Sequence, residues 1–293
     1  MIGDSRRSTT HATDVDALLR GAIDMHVHFA PDAHLQRSVD AIEAAQHAAM
    51  AGMAAIVLKS HDYPTAPLAT VVQKVVPALR VFGGLTLDRQ VGGLNPAAVE
   101  VSARLGAKIL WMPTLSSAND HIKFGRPTPG ISLLDEHGRL AEPLWEILKL
   151  AREHDMIVAS GHVSVPEIHA VFGAAQQVGV ERLLITHALE TLAGPTLTIG
   201  DLHDFVRAGA LIEFSYLTCG GALATEPPQK IADAIRAVGP AHCIMSTDYG
   251  QKRNVPPVDG MRAFIRDMST CGIEPPDIRT MVHRNPAVIL GLA

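Results

Sequence analysis

The feature of this sequence that most constrains its fold is a regular alternation of short apolar runs and helical patterns. The apolar runs, each long enough for one buried strand, cover residues 22–29, 54–61, 80–87, 107–114, 156–163, 182–189, 210–216 and 242–250. The helical patterns cover residues 38–52, 67–79, 95–106, 141–155, 164–179, 198–209 and 228–239. Parallel strands require crossover helices of this kind. The alternation therefore predicts an α/β fold, a (β/α)8 TIM barrel in a single domain.

A doubly wound open sheet is the alternative arrangement of the same elements. Its dinucleotide-binding form would need a G-x-G-x-x-G motif after the first strand, and the sequence has none there. Residues typical of helix N-termini support the predicted helices in either arrangement. Asn95 precedes Pro96, and Ser164 is followed three residues later by Glu167, which predicts a capping box.

One interval between predicted strands is much longer than the others. It contains residues 115–140, which are rich in Gly, Pro and polar residues, and residues 130–140 within it have the pattern of a small hairpin. Long loops at the carboxyl ends of barrel strands are commonly functional. We therefore expect a lid-like insertion after strand 4. We also expect residues 1–20 to form a flexible N-terminal arm and residues 21–293 to form the barrel.

Composition excludes several classes of partner. The net charge is −5 and the pI is near 6.3, so the chain offers no basic surface for nucleic acid. No apolar stretch reaches the ~18 residues of a membrane span, and the N-terminus lacks the apolar segment of a secretion signal. The cysteines, Cys219, Cys243 and Cys271, are few and widely spaced. We expect a cytoplasmic protein that binds a small-molecule substrate, with no nucleic acid and no membrane as partners.

Polar residues cluster at the ends of five predicted strands. They are His26 and His28 on the first, Lys59 and His61 on the second, His162 on the fifth, His187 on the sixth and Asp248 on the eighth. Two histidines two residues apart would be weak evidence alone, because the chain holds 15. All strand ends of a barrel meet at one rim, however, and active sites lie there. Imidazole and carboxylate together predict a divalent metal site.

These motifs resemble the amidohydrolase superfamily of metal-dependent hydrolases. The resemblance rests on "HVH" after the first strand, "GHV" after the fifth, "THA" after the sixth, "STDYG" after the eighth and the terminal "NPAVILGL". It spans residues 22–293 and implies a metal-dependent TIM-barrel hydrolase. A homo-oligomer is an expectation that comes from the same family.

The resemblance also implies roles for individual residues. His26, His28 and Asp248 would bind one metal ion, and His162 would complete that site or hold a second ion. Asp248 would take a proton from metal-bound water, and His187 would bind the second ion or polarise the substrate. Zinc is the first choice of ion, with manganese or iron as alternatives.

Strand 4 departs from the pattern of the superfamily. Two-metal members commonly carry a bridging carboxylated lysine or glutamate there, but this sequence places Trp111 at that point. We therefore favour one ion over two. Lys59 keeps the alternative open, because burial after an apolar run would lower its pKa and make it a base or a site of carboxylation. A lysine that extends to the rim or pairs with Asp248 is the structural alternative.

Other residues are candidates for substrate contact. They are His61, Arg89, Trp111 and Tyr249, with Gln90 and Gln251 as weaker ones. His121, Lys123 and Arg126 form a basic cluster in the insertion that could close on an anion or simply face solvent.

Three kinds of reaction fit the predicted site. The first is hydrolysis of an amide, lactam, lactone or ester carbonyl of a small molecule by metal-bound hydroxide, with Asp248, His187 and Lys59 as catalytic groups. The second is metal-dependent nonoxidative decarboxylation on the same barrel. A phosphoesterase is disfavoured because its last strand would be expected to carry both Asp and His, and "STDYGQ" offers only Asp248. A purely structural metal site would need closed coordination.

Overall fold

The chain folds around an eight-stranded parallel barrel, seen in a computed structural model that describes residues 14–292. The strands are β1 (Ile23–Val27), β2 (Ala55–Leu58), β3 (Arg80–Thr86), β4 (Ile109–Trp111), β5 (Ile157–Ala159), β6 (Leu183–Ile185), β7 (Ala210–Ser215) and β8 (Cys243–Ser246). Each pairs in parallel with the next in chain order. The predicted (β/α)8 TIM barrel is confirmed, and every predicted strand is present.

The barrel closes where the chain beyond β8 returns to β1. The backbone N–H of Asp248 donates to the carbonyl of His26 at 2.9 Å, and that of His28 donates to the carbonyl of Tyr249 at 2.8 Å. Val27 and Tyr249 form a parallel bridge at the same place. This closing seam lies at the carboxyl ends of both strands, where a barrel carries its active site.

Helices occupy the intervals between strands. They are α1 (Val15–Leu19), α2 (Ala41–Met50), α3 (Ala66–Val75), α4 (Pro96–Arg104), α5 (Ala118–Lys123), α6 (Pro143–Glu153), α7 (Val165–Val178), α8 (Ile199–Arg207), α9 (Tyr216–Cys219), α10 (Pro228–Val238), α11 (Pro257–Thr270), α12 (Pro275–Arg279) and α13 (Asn285–Leu290). The predicted start signals are present, because Asn95 caps α4 and Glu167 accepts the backbone N–H of Ser164 before α7. No helix among residues 14–292 has both the length and the apolar character needed to cross a membrane.

The core has two layers. Inside the barrel, residues such as Met25, Val57 and Ile109 pack together and meet Leu290 of α13. Between the strands and the surrounding helices lies a larger apolar layer. Arg182 precedes β6 and donates to the carbonyl of Ile289, so α13 covers the amino ends of the strands. The opposite, carboxyl end stays open for the polar residues.

The N-terminal arm predicted over residues 1–20 lies mainly outside the described residues. In the part that is described, Asp14 caps α1 and both Leu18 and Leu19 are buried. His283 fixes this helix by donating from Nε2 to the carbonyl of Leu18 at 2.6 Å. The apolar pair and this hydrogen bond hold α1 against the barrel.

Residues 115–140 form the predicted long connection after β4. The connection contains α5 and a tight reversal in which Leu134 bridges Leu140 in an antiparallel pair, as expected for the hairpin. Asp120 is fully buried and ties the connection to the barrel rim. Leu115 and Phe124 form part of the cavity wall described below.

Candidate metal centre and active site

Three predicted ligand atoms converge at the closing seam of the barrel. Nε2 of His26 and Nε2 of His28 each lie 3.1 Å from Oδ1 of Asp248. Among the described residues, these three are the group whose possible ligand atoms all lie within 4.8 Å of one another. All three side chains are buried. The seam creates this cluster because Asp248 pairs through its backbone with His26.

Glu213 on β7 supports His26 from behind. Its Oε1 lies 3.1 Å from Nδ1 of His26, and its Oε2 accepts the backbone N–H of His187 at 3.2 Å. Because a carboxylate only accepts, Nδ1 of His26 carries the hydrogen of this contact, and Nε2 is the nitrogen that could bind a metal ion. A carboxylate behind a ligating histidine is a common feature of metal sites.

The second histidine has a different neighbour. Nη2 of Arg37 lies 3.3 Å from Nδ1 of His28, and a guanidinium can only donate. Burial and the Arg37 charge hold the pKa of His28 well below its usual value, so its ring is neutral at pH 7. This long contact favours a hydrogen on Nε2, whereas a metal ligand needs the lone pair there, so the Arg37 contact and metal binding compete.

The surroundings of Asp248 stabilise its negatively charged form. Burial alone would raise its pKa, but the rings of His26 and His28 hold the pKa well below its usual range. Its backbone φ is 55°, in the left-handed region that few non-glycine residues adopt. Gly250 beyond it has φ of 140°, and a Cβ there would lie 2.0 Å from the carbonyl oxygen of His28. This crowded turn fixes the aspartate against the two histidines.

Lys59 lies beside the same cluster. Its Nζ is 3.0 Å from Nε2 of His26 and 5.4 Å from the ring centre of Trp111. Burial lowers the pKa of Lys59, although Asp248 and Glu213 act in the opposite direction. No carboxylate oxygen of residues 14–292 lies within 4.0 Å of this amine. The predicted alternative of a direct ion pair with Asp248 is therefore absent at that distance.

His162 and His187 face each other across the next part of the rim, with ring centres 4.7 Å apart. Nδ1 of His162 donates to Oδ2 of Asp120 at 2.6 Å, which leaves Nε2 as an acceptor. Burial and nearby His162 hold the pKa of His187 well below its usual value. Gly161 permits the close approach of this segment, because φ is 58° and a Cβ would lie 2.2 Å from the carbonyl oxygen of Met112. Both histidines lie outside the three-residue cluster.

His61 completes the ring of histidines. Its imidazole stacks on that of His28 with 5.0 Å between ring centres. Thr114 donates its hydroxyl hydrogen to Asp88 and accepts one from Nδ1 of His61 at 2.7 Å, so Nε2 of His61 is an acceptor. Burial lowers the pKa of His61 to about 4, against the effect of Asp88. His61 is therefore neutral at pH 7.

A cavity of about 160 Å³ lies above these groups. Lys59, Asp248 and all the clustered histidines except His26 form its polar base, and Leu35, Phe124 and Leu192 stand at its mouth with substantial exposure. The cavity therefore suits a small molecule with an apolar part. A larger surface groove of about 550 Å³ near Leu197 contains none of the clustered histidines.

Several predicted contact residues lie elsewhere. Arg89 is exposed and donates to the carbonyl of Pro129, and it does not line the cavity. Trp111 is buried inside the barrel below His26, at the strand 4 position where the sequence placed it. Tyr249 is buried against Tyr216 with ring centres 5.4 Å apart. Of the predicted substrate-contact residues, His61 and the weaker candidate Gln251 line the cavity.

The three basic residues of the insertion contact backbone carbonyls. His121 contacts the carbonyl of Thr128, Lys123 donates to that of Gly194, and Arg126 donates to that of Leu115. Backbone carbonyls thus accept hydrogens from all three predicted basic residues. Their contacts hold the connection in place.

Sequence reasoning missed five charged residues that support the site. They are Arg37, Asp88, Asp120, Glu190 and Glu213. Glu213 gave a signal, because it is a lone acid in the apolar run at 210–216. The other four lie in connections, where charged residues are ordinary.

The donor set fits a divalent first-row ion. Two imidazole Nε2 atoms and one carboxylate oxygen are suitable ligands, and a Glu213 carboxylate orients one imidazole. Three protein ligands with space above them are typical of a catalytic metal site, whereas a structural zinc site has four. His26 and His28 would hold the ion together with Asp248.

Comparison with protein-family models identifies the family to which the chain belongs. Residues 21–213 match a family of unknown function, DUF6282, and the chain belongs to that family. The matched region includes His26, His28, His162 and His187 but ends before Asp248. No curated protein sequence matches the chain.

Solved structures share the fold over nearly the whole chain. An amidohydrolase from Pseudomonas aeruginosa is 11% identical with a TM-score of 0.63, and the alignment covers 94% of this chain and 98% of that one. A 2,6-dihydroxybenzoate decarboxylase from Rhizobium is 13% identical, with a TM-score of 0.54 and coverage of 93% and 99%. A dihydroorotase is 17% identical, with a TM-score of 0.58 and coverage of 94% and 70%. The resemblance to the amidohydrolase superfamily is thus confirmed as a resemblance of fold.

Proposed function

We propose that this protein is a metal-dependent hydrolase that cleaves an amide, lactam, lactone or ester bond in a small molecule. The observation that carries the proposal is the convergence of His26, His28 and Asp248 at the barrel rim, where His28 and Asp248 line a cavity. A fold shared with hydrolases supports it. One divalent ion is proposed, zinc first, with manganese or iron as alternatives.

A divalent ion bound by these residues would lower the pKa of water and polarise the substrate carbonyl. The protein's own groups supply the remaining functions. Asp248 holds a negative charge at neutral pH and can accept a proton at the oxygen that is not occupied as a ligand. His187 is neutral, so it can donate a hydrogen bond to the substrate carbonyl from one ring nitrogen.

The remaining histidines orient the substrate. His61 and His162 each bind a partner through Nδ1, so each presents an acceptor Nε2 at the cavity. Such acceptors can hold an N–H or O–H of the substrate. A substrate whose apolar part covers Leu35, Phe124 and Leu192 at the mouth would keep bulk water away from these polar contacts and so strengthen them.

A second candidate reaction is nonoxidative decarboxylation. It is favoured by the strand 4 position, where Trp111 occurs and no bridging carboxylate is available, and by the decarboxylase among the solved structures that share the fold. A single ion could hold a substrate carboxylate for this reaction. The two reactions differ in product, because hydrolysis creates a new carboxylate and decarboxylation releases carbon dioxide.

The proposal also covers the location, the partners and the oligomeric state of the protein. We propose a cytoplasmic protein with a small-molecule substrate and no nucleic-acid or membrane partner, acting as a homo-oligomer. Size-exclusion chromatography with light scattering tests the last point. A mass equal to one chain at all concentrations would contradict it.

The test combines metal analysis with a substrate panel. Protein purified without added metal would be analysed for metal content and incubated with amides, lactones, esters and aromatic carboxylic acids, with both products monitored. We expect His26→Ala and His28→Ala each to lose bound metal and all turnover while the barrel stays folded, because the pair lies at the rim. His137→Ala is the control, since its side chain is exposed in the hairpin. Full metal content in both rim variants would overturn the proposal.

A further inference from the structure

The guanidinium of Arg37 lies in the cavity wall with part of its hydrogen-bonding capacity unused. Its side chain is only 1% exposed. Nε donates to Oδ2 of Asp32 at 2.8 Å, and Nη2 donates to the same oxygen. Nη1 is buried and has no hydrogen-bond partner among residues 14–292. Buried donors are almost always paired in folded proteins, so this atom calls for a ligand.

The local geometry explains why a ligand, and not the protein, would satisfy Nη1. Asp32 is fully used, because its Oδ1 accepts the backbone N–H groups of His34 and Leu35 and its Oδ2 accepts Arg37. One edge of the guanidinium, Nε with Nη2, is thus fixed on Asp32. The other edge, Nη1 with Nη2, has only the 3.3 Å contact to His28. That edge has the spacing that suits a carboxylate.

We propose that Arg37 binds a carboxylate group of the substrate, so that the substrate is a small carboxylic acid with an apolar part. This inference rests on the proposed function, because it places the reacting bond at the cluster next to Arg37. A carboxylate accepts from Nη1 and Nη2 together, which a neutral carbonyl cannot match. The exposed apolar mouth at Leu35, Phe124 and Leu192 fits the rest of such a molecule.

Glu190 gives the same cavity a free acceptor. Its Oε1 accepts the backbone N–H of Leu192 and the hydroxyl of Thr225, whereas Oε2 is buried with no hydrogen-bond partner among the described residues. Arg37 and Glu190 both line the cavity. The substrate that satisfies both therefore carries an N–H or O–H group besides its carboxylate.

Direct binding of simple probes tests the carboxylate site without turnover. Benzoate and butyrate would be compared with benzamide and butyramide by titration calorimetry. Both metal-loaded and metal-stripped protein would be used, because a metal ion can itself bind a carboxylate. We expect the acids to bind at least about ten-fold more tightly than the amides in both forms, since charge-assisted hydrogen bonds are the stronger ones.

The variants separate recognition from folding. Arg37→Met combined with Asp32→Asn removes both charges and so leaves no unpaired buried carboxylate. We expect it to lose at least about ten-fold in affinity for benzoate, with unchanged benzamide affinity and no loss of bound metal, since the Arg37 contact competes with metal binding at His28. Arg37→Lys keeps a positive charge beside Asp32 but loses the forked guanidinium group. We therefore expect this variant to lose part of the affinity for benzoate. Arg89→Met is the matched control, because Arg89 lies outside the cavity.

The results that would overturn the assignment of Arg37 differ from the results that would overturn the proposed function. Equal affinity for acids and amides, no binding of either acid by the wild-type protein, or full benzoate affinity in both Arg37 variants would each overturn the assignment of Arg37. A protein that binds benzoate through Arg37 but turns over no substrate and holds no metal keeps this inference and contradicts the proposed function. If the protein hydrolyses neutral substrates and substitution of Arg37 has no effect, the proposed function stands and this inference is contradicted.

Discussion

Nζ of Lys59 lies 3.0 Å from Nε2 of His26, the same atom that faces Oδ1 of Asp248 at 3.1 Å. A lysine amine therefore stands at the edge of the cluster that would hold the metal. The amine is buried, and burial lowers its pKa. A metal ion on Nε2 of His26 would take the lone pair that the amine now faces. Lys59 must then be neutral, move, or carry an added carboxylate.

The first prediction concerns the number of ions. Trp111 fills the strand 4 position, so nothing from β4 can reduce the repulsion between two ions ~3.5–4 Å apart. We expect metal analysis to give about one ion per chain, and His187→Ala to lose rate while keeping that ion.

Carboxylation of Lys59 would instead allow two metal ions per chain. It would give two tightly bound ions, both lost in Lys59→Ala and restored by bicarbonate with a small acid. It would also add the mass of one carbon dioxide to the intact protein. Observation of these four results together would contradict the one-ion prediction.

The second prediction concerns Asp248. Asp248→Asn keeps the shape of the side chain but removes the charge that the facing histidines stabilise. Turnover should fall at least about 100-fold, because positioned acid–base catalysis alone contributes ~10²–10⁴. The measurement is kcat on the best substrate of the panel, at saturating metal so that occupancy is not limiting. Near-normal kcat would assign the proton transfer to another group, with Lys59 the first to test.

The third prediction uses a pair of isosteric variants. Glu213→Gln removes the charge behind His26, whereas Asp120→Asn removes the one behind His162. If one ion lies at His26, Glu213→Gln should weaken metal affinity by about 10–100-fold. Asp120→Asn should lower turnover and leave metal affinity unchanged. Competition with a chelating dye measures both affinities, and equal losses in the two variants would indicate ions at both positions.

The strands and the rim residues could be predicted because they follow from periodicity. Buried parallel strands give continuous apolar runs, and helices between them give the 3.6-residue pattern. Once eight strands are assigned, the barrel brings the residues at their carboxyl ends to one rim. His26, His28 and Asp248 could therefore be grouped although more than 200 positions separate the pair from Asp248.

Residues that depend on loop conformation could not be predicted. Arg89 looked like a suitable anchor because it follows β3, yet its side chain extends over the surface to Pro129. Arg37 reaches the cavity only because Ser38 after it donates its backbone N–H to the carbonyl of Gly250. Asp120 reaches His162 only because α5 packs on the rim. No spacing rule specifies contacts of this kind, since loops have no fixed periodicity.

The last prediction concerns the docking of α1 and its dependence on pH. Burial lowers the pKa of His283, whose Nε2 donates to the carbonyl of Leu18. Protonation would add a hydrogen to Nδ1, which lies against Gly21. As the pH falls through ~6.5, the unfolded chain accepts this proton while the folded protein resists it, so the folded state loses stability. His283→Gln can keep the donor to Leu18 but cannot titrate.

Urea unfolding of both proteins at about pH 7.5 and about pH 5.5 measures this effect, because acid effects from all other groups are common to the two. The wild type should lose more free energy of unfolding on acidification than His283→Gln does. The size of the difference is limited, since the ring is only half-buried and solvent screens its charge. An equal loss in both proteins, with the mutant as stable as the wild type at the higher pH, would show that His283 holds α1 without sensing pH.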